Sequence, residues 1–212
     1  MEKESVKDYL NCLIEAYQAA YAANEITLED FWKYEEEVYT KTKELFEDWL
    51  HDIEHQIGLL QHIQPQHRDI NKIIALYRGL MDAVHKEADA ARARGLTDDD
   101  EYIQNLQDKW WEYHDAIAAA RSEWFNGILE DQKFAIESMV DIGTDATKVV
   151  SAWKDTLSEI DKEIRWYLDN GYSLTDDFVQ DLISEAREAR DSIISTVNDV
   201  CRRDPECVHH AD

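Results

Sequence analysis

Turn-forming residues are scarce in this chain: its 212 residues include only six glycines and two prolines. A β-rich fold needs many more, so the expected fold class is all-α, with no sheet. Cysteine is scarce too. Cys12, Cys201 and Cys207 cannot staple a secreted disulfide framework and read as free thiols in a reducing compartment, although Cys201 and Cys207 could pair if the tail turned back. Basic residues are few, 22 Lys and Arg against 47 Asp and Glu, for a net charge of −25. That balance argues against direct binding to nucleic acid or to an anionic membrane surface. No apolar run approaches the roughly 20 residues that span a bilayer. The charged start MEKESVKDYL lacks the apolar stretch of a signal peptide, so signal-directed secretion is not expected. A phosphate-cradling glycine loop, a nucleophile elbow and a Cys-x-x-Cys pair are all missing.

What the chain does have is large apolar anchors, seven Trp and ten Tyr, set among 33% charged residues. Thin helical layers are built that way, because each helix has one buried stripe and a wide wet face. Heptad-like spacings predict about six helices. Val6, Leu10, Leu13, Tyr17 and Ala20 line the first, which Asn24 closes. The second carries two series, Phe31-Val38-Leu45 and Trp32-Tyr39-Phe46-Ile53-Leu60, so it is expected to touch two partners. Pro65 breaks it. A third helix over about Asp69 to Arg94 ends at Gly95, and a fourth runs from Asp98 to about Val140 with the stripe Ile103, Leu106, Trp110, Tyr113, Ile117, Ala120, Trp124. Gly127 is a mild interior weakness where a kink could form. A fifth helix, through Val149, Trp153 and Tyr167, stops at Gly171, and the sixth holds Phe178, Leu182 and Val197. Thr27 with Asp30, Thr97 with Asp100 and Ser173 with Asp176 have capping-box spacing.

Several of these features repeat. A shift of 76 residues puts Ile73 on Val149, Gly95 on Gly171, Thr97 on Ser173, Leu106 on Leu182 and Ile117 on Ile193; a shift of 79 puts Phe46, Leu50 and Ile57 on Phe125, Leu129 and Ile136. The expected organisation is a single elongated helical domain over 1–203, built as antiparallel hairpins with coiled-coil-like packing. Its parts are an N-terminal hairpin (1–62), a repeat hairpin (63–140) and a second repeat hairpin (141–203), with 204–212 as a flexible tail.

The runs LFEDWLHDIEHQI (45–57) and IIALYRGLMDAVHKEADAARARGLTDDDEYIQNLQDKWWEYHDAI (73–117) resemble helical repeats in tail tape-measure proteins of phages and prophages of Clostridia-like bacteria. The resemblance is strongest over residues 26–129. It rests on the glycine-leucine corner, the I-Q-x-L-Q-x-x-W-W-x-Y run and W-L-x-D-I-E-H. It implies a structural protein in or around a virion tail, located in the cytoplasm of a bacterial host, in the tail, or in both. It brings no catalytic residue, no cofactor, and as partners other tail or assembly proteins or further copies of itself. The chain is far shorter than most such proteins and lacks their apolar segments and any hydrolase region.

His51-Asp52-Ile53-Glu54-His55 matches H-x-x-E-H, in which His51 and His55 share a helix face and could hold zinc while Glu54 polarises a water. The default reading is a solvated helix face, since the same run fits the repeat. Asp98 to Glu101 lack the alternating spacing of a calcium loop and suit a helix start. Interaction or packing roles fall to Trp32, Trp49, Trp110, Trp111, Trp124 and Trp153, and the helix corners to Thr27, Gly95, Thr97, Gly171 and Ser173. Two functions are expected to compete: a non-enzymatic assembly protein acting by shape, and an acidic inhibitor that imitates nucleic-acid phosphate in the groove of a host defence or DNA-binding enzyme.

Overall fold

A computed structural model describes residues 3–203, with side chains described for residues 12–199. The Val6 and Leu10 side chains, any pairing of Cys201 with Cys207, and the tail from 204 to 212 lie outside the described residues. The helices are α1 (Lys3–Ala22), α2 (Leu28–Gln61), α3 (Ile70–Ala93), α4 (Glu101–Asp141), α5 (Ala146–Asp169) and α6 (Asp177–Arg203), with a short 3₁₀ turn, Pro65–His67, between α2 and α3. The protein is all-α, and no strand occurs among the described residues.

Four helix ends are closed in the same way. Asn24, Gly95, Gly143 and Gly171 have φ of 57°, 101°, 70° and 89°. Each left-handed residue turns two amides back onto carbonyls of the last helical turn. Leu96 N donates to Ala91 O at 3.2 Å and Gly95 N to Arg92 O at 2.9 Å; 76 residues on, Tyr172 N donates to Tyr167 O at 3.1 Å and Gly171 N to Leu168 O at 3.2 Å. Glu25 with Asn24, and Thr144 with Gly143, make the equivalent bonds. Orphan carbonyls at the helix ends are thereby satisfied.

Helix starts differ from the sequence expectation at two corners. Thr27 and Asp30 form the full reciprocal box, Asp30 N donating to Thr27 Oγ1 at 3.1 Å and Thr27 N to Asp30 Oδ2 at 3.3 Å. At Thr97 the aspartate reaches back, accepting from Thr97 N at 2.6 Å, but α4 begins only at Glu101, with Asp100 as its N-cap residue. Asp100 N instead donates to the Thr97 carbonyl at 3.0 Å, closing a turn of backbone before the helix. Ser173 and Asp176 repeat this arrangement at 2.8 and 3.1 Å. Asp98 to Asp100 therefore precede α4 and do not form its first turn, and Asp98 pairs with Arg92 at 2.9 Å.

The chain divides into two compact units, Met1–Leu59 and Leu60–Asp212. In the first, Tyr17 stacks on Tyr34 with ring centroids 4.4 Å apart and Tyr21 on Phe31 at 5.4 Å, tying α1 to α2. Val38, Leu50 and Ile57 are the buried side chains of α2.

In the second unit α3 packs on α4 and α5 on α6, with α4 also meeting α5. Helix α4 buries two stripes in succession. Ile103, Leu106, Tyr113, Ile117 and Ala120 form the first; Ala118, Phe125, Leu129 and Ile136 are buried on the second, offset by one residue, or about 100°. The second stripe joins a core with Ile160, Tyr167, Val179, Leu182 and Ala186 from α5 and α6. The face-switch carries burial to Phe125, one residue past the end of the expected stripe at Trp124.

No break in α4 occurs at Gly127. A Cβ at that position would lie 3.1 Å from Gln66 N and 3.2 Å from Pro65 Cβ. The glycine is a seat for the 3₁₀ turn, whose backbone can approach the helix only because the side chain is missing.

Candidate interaction surface

The second stripe of α4 meets the α5–α6 corner through a run of rings. Trp110 stacks near-parallel on His114 at 5.6 Å, His114 lies 4.6 Å from Tyr172, and Tyr172 lies 5.3 Å from Phe178 and 5.5 Å from Tyr167. Two phenols pin the corner to the helix backbone: Tyr172 Oη donates to His114 O at 2.8 Å and Tyr167 Oη to Ala118 O at 3.2 Å. Burial pushes the Tyr172 phenol up to about 12 and raises that of Tyr167 as well. Both remain protonated donors at neutral pH.

One turn further, Arg121 and Glu163 form a fork-to-fork pair, Nε to Oε1 at 2.6 Å and Nη2 to Oε2 at 2.8 Å. The guanidinium lies 3.8 Å above the Trp166 ring and 5.4 Å from that of Trp124. Glu163 is buried, with 4% of its side chain exposed. Desolvation pushes its carboxyl above the usual range, and Arg121 opposes that without cancelling it. An arginine held between two rings and against a carboxylate is a clamp.

Beside this clamp runs an open groove of about 890 Å³ whose lining includes Trp111, His114, Asp115, Tyr172, Asp176 and Asp177. Trp111 is 59% exposed at one end. A smaller cleft of about 220 Å³ between α3 and α4 is lined by Val84, Ala88, Leu106 and both Trp110 and Trp111.

The other residues singled out from the sequence are dispersed. Trp32 is 59% exposed in the first unit, and Trp49, Trp110, Trp124 and Trp153 are half-buried. His51 and His55 are exposed on α2, His51 Nδ1 lying 3.9 Å from Glu54 Oε2. Among the described residues no group of three or more His, Cys, Asp or Glu is arranged to hold a metal ion. Cys12 is exposed and unpaired by any disulfide. No described helix is long and apolar enough to cross a membrane. Sequence reasoning missed Arg121, Glu163 and Trp166: charged residues in a charge-rich helix carry no periodic signal, and Trp166 lies one position off the stripe of Ile160, Ile164 and Tyr167. Only the lone arginine within the apolar second stripe of α4 could have given them away.

Comparison with protein-family models, curated proteins and solved structures gives no match.

Proposed function

We propose that the chain is a non-enzymatic assembly protein of the tape-measure-repeat kind, acting by shape and helix–helix contacts in the cytoplasm of a bacterial host and then in a virion tail. One observation carries this reading. The corner at Gly95 and the corner at Gly171 share backbone bonds, φ sign and aspartate back-contact residue for residue, 76 positions apart. Repeats that preserve a corner this closely suit stacking of like on like. The test is biochemical. Tails purified from a producing host should contain the chain at fixed stoichiometry to the tube subunit, and tails free of it would overturn the proposal.

The net charge of −25 favours the second reading, an inhibitor that imitates nucleic acid. Against it, bases are set among the acids on several helices. Lys41 pairs with Glu44, Lys86 with Asp82, Arg92 with Asp89, and Lys162 with Glu159. That interspersion interrupts a phosphate-like ridge. Competition with duplex DNA for a basic nuclease would support mimicry.

A further inference from the structure

Register carries the second stripe of α4 onto α6. Counting 76 residues on, Trp111, His114, Ala118 and Arg121 become Arg187, Arg190, Ile194 and Val197. On α4 the last three of those positions are covered by the corner that follows, while Trp111 stays exposed at its edge. Tyr172 binds the His114 carbonyl, Tyr167 binds the Ala118 carbonyl, Glu163 holds Arg121, and Ala118 is 2% exposed. On α6 the matching positions are open. Ile194 is 56% and Val197 43% exposed, and Arg187 and Arg190 are exposed beside them. The four residues lie at i, i+3, i+7 and i+10, one face of the helix. They make an apolar strip with two guanidinium groups on a chain whose net charge is −25.

We infer that this face of α6 docks onto a second copy of the same chain, which takes the place that the α5–α6 corner takes on α4. The inference rests on the repeat reading above. The two guanidinium groups favour an acidic surface, and a second copy offers one beside exposed apolar side chains. The corner between α1 and α2 has the matching chemistry. Tyr21, Leu28 and Trp32 are 40%, 49% and 59% exposed there, beside the exposed carboxylates of Glu25, Glu29 and Asp30. Two different surfaces make such a contact heterologous, so copies add head to tail instead of closing into a twofold pair.

Sedimentation velocity over a concentration series tests this. The wild-type mass should rise above 24.8 kDa with concentration. Ile194→Glu/Val197→Glu should abolish it with helicity and melting unchanged, because both side chains are already solvent-exposed. Arg187→Glu/Arg190→Glu and Trp32→Ala should each weaken it about tenfold or more. A wild-type chain that stays at 24.8 kDa at every concentration overturns the inference. So does association that the Ile194/Val197 variant leaves intact, or that Trp32→Ala does not weaken. None of these results touches the tail proposal, which the composition of purified tails decides separately.

Discussion

Glycine occupies three different kinds of place in this chain, and substitution separates them. Gly58 and Gly79 lie inside α2 and α3, and a Cβ at either would meet nothing within 4 Å. Alanine at either position should stabilise by about 0.5–1 kcal/mol, as helix propensity alone dictates. Gly95 is equally open around its Cβ, yet its φ is +101°. Gly95→Val should therefore cost about 1–2 kcal/mol through backbone strain, without any clash. Gly127→Ala gains the same propensity but pushes into Gln66 N at 3.1 Å, so thermal melts should show a net loss of about 1 kcal/mol. The Gly95 and Gly171 corners were legible in the sequence, since glycine before a Leu-Thr or Tyr-Ser pair after an apolar stripe has one good use. The role of Gly127 was not legible. Its partner, the Pro65 turn, lies about sixty residues away, and close backbone approach leaves no local pattern.

At the scale of the element, α4 is the organising piece, because its two stripes serve α3 first and then α5 and α6. Its first stripe was readable as a heptad series. The switch of face near Ala118 was not, since alanine belongs as readily to a wet face as to a close helix contact. The Arg121–Glu163 pair sits on this second stripe. Arg121→Met alone should cost about 3–5 kcal/mol, because it leaves a carboxylate buried without its partner. Arg121→Met/Glu163→Leu should recover most of that loss, and chemical denaturation of the three variants measures the difference. The pH dependence follows from the raised Glu163 carboxyl. The ordinary glutamate value is 4.5 and the folded value lies higher. The folded chain thus holds the proton more tightly than the unfolded one. The associated stability is fully present below pH 4.5 and is lost as pH rises through the folded pKa. Glu163→Gln should remove that slope from a melting-temperature series across the acidic range.

Across the whole molecule, the same hairpin chemistry recurs with different side chains. Ala91 and Tyr167 occupy matching places and both are 0% exposed, as are Ile103 and Val179. Alanine and tyrosine differ widely in volume, so each copy must rebalance its own core while keeping the corner. Corner bonds survive that drift because they depend on backbone and one short polar side chain. For that reason the repeat was legible at the corners and faint between them. If the copies are interchangeable modules, one can be removed in register. A chain lacking residues 42–120 joins Lys41 directly to Arg121 at the 79-residue spacing. It keeps the Asn24 corner, the Arg121–Glu163 clamp and the core formed by Phe125, Leu129, Ile160 and Tyr167. Circular dichroism with thermal unfolding should give the helicity per residue of the full chain and a single cooperative transition. A shortened chain that is largely unstructured, or that melts without cooperativity, would contradict the repeat.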